Sequence, residues 1–405
     1  MGPAIRRHDE QRLPRQRCLV HHPPMIPPQR LPASLTPLDL ALAALLDRLE
    51  PVAPIELALA QALHCVAAEM PLLTAYPPCD VAAADGFAFC AGDLVGASSY
   101  SPLPLATSLA WVEAGDAIPQ GCDCVISADL VDQTGPMAQV LGEAIPGQGV
   151  RRAGGDIAEG SFSLASGRRV GPLDLLIARA AGLDHLKVRR PRLCLLNIPA
   201  TSGTTTTARL ISETARAAGA NVACAEATGR DAASIAKALD TAMDAAIEPG
   251  ACDWLVTIGG SGVGRTDAAV MALAQRGEVL AHGIALQPGR TAAVGGIEQL
   301  PVIALPGAPD QALAAWWTLA LPVLDRLSAR QPRQTLTLPL ARKIASSVGI
   351  AEIVLLQKDA GTWMPLAVGE LSLETIACAD AYLVVAGGSE GFAAGTPVDA
   401  YMMRD

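Results

Sequence analysis

The run Thr257-Ile258-Gly259-Gly260-Ser261-Gly262-Val263-Gly264-Arg265-Thr266-Asp267 holds four glycines in six positions and closes on a carboxylate. It follows the apolar segment Asp253–Val256 and precedes a predicted helix. A glycine-rich backbone can approach a ligand closely, and the free N–H groups at a helix start favour negative charge. The chemistry this points to is the holding of an anionic group, although a turn of this kind alone is also compatible with a plain αβ connection. Three further loops add to it: Gln287-Pro288-Gly289-Arg290, Leu305-Pro306-Gly307-Ala308-Pro309, and Pro199-Ala200-Thr201-Ser202-Gly203-Thr204, whose hydroxyl residues continue through Thr207. Together they supply amides, hydroxyls and one cation, the makings of a phosphate cradle. The candidate binding residues are therefore Gly259, Gly260, Ser261, Gly262, Gly264, Arg290, Pro306, Gly307 and Thr204. Neither a GxxxxGK[ST] loop nor a GxGxxG after the first strand is present, which argues against an ordinary nucleotide-binding fold.

The elements that must position these loops follow from periodicity. From Arg192 onward, apolar runs at 193–198, 221–227, 254–258 and 302–305 read as strands. They alternate with helical segments at 204–218, 231–247, 266–276 and 311–328, and this alternation predicts a parallel sheet covered on both faces. Ligands of such sheets bind beyond the carboxyl ends of the strands, where the glycine turn falls. Upstream, Thr36-Pro37-Leu38-Asp39 predicts a helix start, with helices to about Leu49 and over Ile55–Glu69. Residues 72–150 carry short apolar runs between Gly, Pro and Asp turns, with strands at 109–113, 124–127 and 138–141. A helix returns at 171–182, and short strands follow Pro332, including 352–357 and 382–385. The expected organisation is a disordered tail over 1–35, a split helical domain over 36–71 and 155–190, a β-rich insertion over 72–154, a three-layer α/β domain over 191–330 and a C-terminal β domain over 331–405.

The formal net charge of −10 carries no basic block, which excludes a nucleic-acid partner read through a basic face. Ten cysteines are scattered without a CxxC pair. They read as free thiols, mostly buried, Cys194 and Cys224 among them, and a reducing cytoplasm is the expected compartment. No apolar run reaches the roughly 18–20 residues of a membrane helix, and the arginine- and proline-rich start lacks the apolar core of a secretory signal.

Three blocks lie outside the α/β region: Ala84-Asp85-Gly86-Phe87-Ala88, Ala114-Gly115-Asp116 with Ile118-Pro119-Gln120-Gly121-Cys122-Asp123, and Arg151-Arg152-Ala153-Gly154-Gly155-Asp156-Ile157. In order and spacing, these and the four loops resemble the molybdopterin molybdenumtransferase family, which includes the E domain of gephyrin, over residues 36–405. The resemblance implies a molybdopterin-binding α/β domain, a C-terminal β-barrel-like domain and a homodimer whose site lies between the α/β domain of one subunit and the insertion of the other. It implies adenylated molybdopterin and molybdate as substrates, Mg²⁺ as cofactor, and AMP release on molybdenum insertion. Asp85 and Asp267 match family acids with catalytic roles, and Asp85, Asp156 and Asp267 match the metal-holding set, which suits a hard cation. Asp231 matches an acid of the substrate site.

Several family positions are changed. Thr201 stands for a glutamate, Ala114 for a threonine, Gln287 and Arg290 for two lysines, Gly155 for a glutamate and Ala308 for an asparagine. A non-catalytic module that carries molybdopterin or finished cofactor to an apo-molybdoenzyme is therefore the second expectation beside the transferase.

Overall fold

The computed structural model describes residues 29–403 except 48, 70, 106–107, 162–163, 201–204 and 245–251. Its centre is a six-stranded sheet. In chain order the α/β elements are β1 (Arg192–Asn197), α1 (Thr206–Ala217), β2 (Asn221–Glu226), α2 (Ala232–Asp244), β3 (Trp254–Ile258), α3 (Ala269–Arg276), β4 (Glu278–His282), β5 (Ala293–Ile297) and β6 (Leu300–Leu305). The strand order is β2-β1-β3-β6-β5-β4. β2, β1, β3 and β6 are mutually parallel, with Leu195 opposite Val256 and Val256 opposite Ile303.

Continuous apolar strands are what a sheet covered on both faces requires, and side-chain alternation then divides them between two cores. Leu193, Leu195, Trp254, Val256 and Ile303 face one layer with Ile211 and Ala215 of α1. Cys194, Leu196, Leu255 and Val302 face the other with Ile235, Ala236 and Leu239 of α2. The parallel core agrees with the sequence reading, and β5 and β4 extend it antiparallel. The helical stretch after β6 is not uniform. Pro309–Ala315 and Leu321–Leu327 are α-helical, and Trp316–Ala320 between them is a π-helical turn. Pro322 has no N–H to continue the i→i−4 ladder, and a wider turn is one way to absorb that loss.

The predicted helix over Ile55–Glu69 is corrected. Ile55–Ala58 and Val66–Glu69 are strands on either side of His185–Arg189, with only Leu59–Ala62 helical between them. The Ala/Leu/Glu composition favours helix, but cross-strand pairing overrides that weak preference. His64, at φ 69°, turns the chain between them. Residues 72–154 form small antiparallel sheets as expected, one of them ordering Ala110–Val112, Gly86–Phe89 and Cys124–Ile126.

The C-terminal sheet reaches beyond residue 331. Its path runs Thr36–Pro37, Ile284–Gln287, Ala351–Asp359, Ala381–Val385, Pro397–Met402, Thr335–Pro339. A strand from within the α/β region and the two residues before the Leu38–Leu46 helix thus share its hydrogen bonding. Among the described residues, no helix is long and apolar enough to cross a membrane.

Candidate functional site

At the carboxyl ends of β1, β3 and β6 lies a cavity of 340 Å³ lined by Asn197, Arg230, Gly259, Gly260, Gly262 and Asp267, with Thr291, Pro306, Gly307 and Gln311 opposite. This is the place a parallel sheet offers a ligand. The glycine turn forms one wall. Gly259 and Gly260 have φ of 88° and 69°, a region in which L side chains are strained. Gly259 N donates to Leu305 O at 3.0 Å, and Ala269 N, the first of α3, donates to Gly260 O at 2.9 Å. Between these anchors the amides of Gly260, Ser261, Gly262 and Val263 donate to no group among the described residues. A concave row of free amides is an anion nest.

Asp267 closes the turn from beneath. Its Oδ2 accepts from Gly264 N at 2.9 Å, and a side-chain carbon on Gly262 or Gly264 would stand 2.6 or 2.8 Å from that oxygen. Its Oδ1 accepts from Arg230 at 2.9 Å. The same guanidinium donates to Pro199 O at 2.6 Å and to Thr266 Oγ1 at 3.2 Å. Arg230 and Asp267 are 21% and 17% exposed, so the pair is largely shielded. Arg230, rather than Arg290, is the cation of this cavity. Arg290 is exposed and not part of the lining, where Thr291 stands instead. Sequence reading passed over Arg230, and its one signal was position, just after β2 and before α2 at the ligand end of the sheet.

On the far wall Thr207 Oγ1 donates to Gly307 O at 2.7 Å and ties α1 to the Pro306–Gly307 loop. Asn197 ends β1 at the floor. It is 8% exposed, and its Nδ2 has no partner among the described residues. A buried unpaired amide carries a substantial desolvation cost, and one that lines a cavity can be met there by a water or by an acceptor on a ligand. Ser261 is fully buried, its Oγ also has no partner among the described residues, and it contributes backbone rather than hydroxyl to the cradle. Thr204 and Thr201 lie outside the described residues.

The expected disordered tail over 1–35 is corrected in part. Gln29 is 6% exposed and clamps the turn from behind: Nε2 donates to Gly262 O at 2.7 Å and to Gly260 O at 3.4 Å, and Oε1 accepts from Val270 N at 3.2 Å. By holding those two carbonyls, Gln29 leaves the turn's amides facing the cavity. From the other side His282 Nε2, carrying its proton, donates to Ser261 O at 3.0 Å. Burial holds the His282 pKa below its ordinary value, with the Ser261 bond opposing. The folded state therefore binds a proton only at lower pH than the unfolded chain does. Stability is expected to be level above about pH 6.5 and to fall as pH drops below it. Melting midpoints of the protein and of His282→Gln, measured from about pH 7.5 to 5, should converge toward acid; parallel curves would remove His282 from this account.

Asp231 does not line the cavity. It caps α2, accepting from Ser234 N at 2.9 Å and Ser234 Oγ at 2.6 Å, and these bonds hold its carboxyl below the ordinary range. Asp231→Ala is expected to cost about 1 kcal/mol of stability and to leave ligand binding unchanged, as calorimetry and titration can check.

Asp85 and Asp156 are exposed in and beside the insertion. Asp85 accepts from Ala114 N at 2.8 Å, tying together two of the blocks singled out above, and Asp156 meets Arg151 at 3.2 Å. Among the described residues no group of three or more His, Cys, Asp or Glu could hold a metal ion. Asp85, Asp156 and Asp267 are thus not gathered within one chain, and both oxygens of Asp267 are already engaged. Cys194 is buried as expected, whereas Cys224, on the edge strand β2, is exposed.

Two family models match the chain: the MoeA N-terminal region (domains I and II) over residues 36–182, and a probable molybdopterin-binding domain over residues 198–326. A putative molybdopterin biosynthesis protein of Methanocaldococcus jannaschii is 24% identical over 351 residues, covering 80% of this chain and 85% of that one. Molybdopterin molybdenumtransferase 2 of Mycobacterium tuberculosis is 29% identical over 287 residues, 61% of this chain and 68% of that one. The crystal structure of a molybdopterin biosynthesis protein of Pyrococcus horikoshii superposes with a TM-score of 0.65 at 22% identity, over 91% of this chain and all of that one, which establishes the shared fold.

Proposed function

Since the chain belongs to the MoeA family of molybdenum cofactor biosynthesis proteins, we propose that it is a molybdopterin molybdenumtransferase, inserting molybdate into adenylated molybdopterin with release of AMP. The observation that carries this reading is the cradle itself: free amides over Gly260–Val263, a shielded Arg230 and the unpaired Asn197 amide converge on one cavity. The amides hold anionic oxygens of the pterin-bearing phosphate, and Arg230 sets the field beside them. Fixed dipoles of this kind stabilise charge that develops on a departing group without reorganising during the step. Asn197 Nδ2 donates to an acceptor on the substrate and fixes its orientation.

Mg²⁺ does not fit the residues of a single chain. The expected aspartates are dispersed, and the one at the cradle is bound by Arg230 and Gly264. No step is therefore assigned to a metal. A homodimer in which a second copy presents Asp85 and Asp156 to this cradle is the assembly consistent with the reading.

The alternative, a carrier that hands molybdopterin or finished cofactor to an apo-molybdoenzyme, is favoured by one observation: each oxygen of the cradle's carboxylate already accepts a hydrogen bond from the protein. Purified protein incubated with adenylated molybdopterin, molybdate and Mg²⁺ separates the two. Turnover predicts stoichiometric AMP. Tight binding without AMP release would leave the carrier, and failure to bind at all would remove both.

A further inference from the structure

A larger cavity, of 610 Å³, lies away from the cradle where three parts of the chain meet. Residues 167–169 return from the insertion on one side, the end of α1 forms a second, and the stretch from Trp316 to Gln334 with the C-terminal sheet forms the third. The crossing is welded by backbone and side chain: Gln331 N donates to Gly167 O at 2.8 Å and Gln331 Nε2 to Ser166 O at 2.9 Å. The cavity is therefore built into the fold.

Its lining is unlike the rest of the molecule. The chain has five tryptophans, four tyrosines and four phenylalanines, yet Trp316, Trp317, Tyr382 and Tyr401 all stand here. Trp317 stacks on Tyr382 with centroids 4.3 Å apart and planes 7° apart, and Tyr382 stacks on Tyr401 at 5.3 Å and 25°. The π-helical turn is what carries Trp316 and Trp317 to this wall. Trp316 is fully buried, and its Nε1–H has no acceptor among the described residues. Arg168, Arg169, Arg330 and Arg333 complete the lining, and none of the described residues lining the cavity is acidic. The guanidinium groups are held from behind: Arg333 by Asp325 through two bonds of 2.7 Å, Arg168 by Asp174 at 3.3 Å, and Arg169 through His64 Nδ1 at 2.8 Å.

We propose that this cavity binds a planar aromatic anion, of the class of a nucleoside monophosphate. Trp317 and Tyr401, the half-buried ends of the stack, offer ring faces, and guanidinium groups offer charge-assisted bonds to phosphate or carboxylate oxygens. The volume lies within the range of small-molecule sites, at a junction of domains where such sites concentrate. The site is separate from the cradle, and its failure would leave the transferase reading untouched.

The full-length protein is titrated with AMP, adenosine and inorganic phosphate while tryptophan emission is followed. None of the described residues lining the cradle is aromatic, and with the exposed indole of the insertion removed by Trp111→Phe the remaining signal reports this cavity. AMP is expected to quench saturably, with adenosine and phosphate each at least about tenfold weaker, because each lacks one of the two recognised features. Arg168 is half-exposed, and Arg168→Ala should weaken AMP about tenfold, with only a small fall in melting midpoint from loss of the Asp174 pair. Absence of saturable quenching at millimolar AMP overturns the proposal. So does phosphate binding as well as AMP, or an Arg168→Ala curve that matches the unaltered protein. An acidic peptide that displaces AMP at lower concentration than phosphate does would reassign the cavity to a protein partner and overturn it equally.

Discussion

Replacing Arg230 by methionine is expected to weaken binding of adenylated molybdopterin by about 10- to 100-fold, the loss of one charge-assisted contact, and to lower stability as well. The stability loss arises because Asp267 and the Pro199 carbonyl would lose a shared donor in a shielded place. Removing one partner of a buried pair costs about 3–5 kcal/mol. With roughly a fifth of each side chain still exposed, solvent screening brings the expectation to about 2–3 kcal/mol. Two roles are folded into that residue, and a double-mutant cycle separates them. If Arg230 acts only by holding Asp267, then adding Arg230→Met to Asp267→Asn should cost no further affinity. If its guanidinium also meets the substrate, the double variant should bind more weakly than Asp267→Asn alone. Substrate binding and AMP release that are unaffected in Arg230→Met would remove this residue from the site.

Gly259→Ala should be the most damaging single-methyl change in the cradle. At φ 88° an alanine pays the left-handed penalty of about 1–2 kcal/mol. Its Cβ would also stand 2.8 Å from Ile198 O, a backbone atom that cannot swing aside. Overpacking against fixed neighbours adds about 1–3 kcal/mol, so the sum is about 2–5 kcal/mol. Gly96→Ala is the internal control: its φ is 87°, but nothing lies within 4 Å of the new methyl. Its loss should stay near the conformational penalty alone. Comparable chemical-denaturation losses for the two variants would show that the close approach of the β1 and β3 ends is not what requires glycine there.

Much of this arrangement is legible along the chain because parallel strands buried on both faces must be continuously apolar. Leu193–Ile198 and Trp254–Ile258 announce themselves by that rule, and the loops at their carboxyl ends follow. The glycine turn and the Pro306–Gly307 loop are legible for the same local reason, since their conformations constrain residue type. What escaped reading depends on distant partners. The Ile55–Glu69 segment has helical composition and becomes two strands only because His185–Arg189 lies between them. Arg230 is one arginine among many until folding brings Pro199 and Asp267 to it. Asp231, its neighbour, reads from the sequence as an acid of the substrate site and in the structure caps α2, an ambiguity inherent in any acid before a helix. Asp85 and Asp156 stand apart from Asp267 within one chain, a separation that the spacing of residues along a sequence does not report.

The clamp on the glycine turn sets an order of events during synthesis. Gln29 leaves the ribosome early, while its partner carbonyl on Gly260 is 231 residues downstream. At roughly 5–20 residues per second, the wait is roughly 10–50 s. The C-terminal sheet repeats the delay, since Thr36–Pro37 pairs with Ile284–Ala285. Gln29 is thus already at hand when Gly260 and Gly262 emerge, and the anion cradle is completed only when Pro306 and Gly307 of its far wall have followed. Slowed translation between residues 260 and 307 should lengthen the time for which the half-built cradle is open to proteases, with no effect on the finished fold.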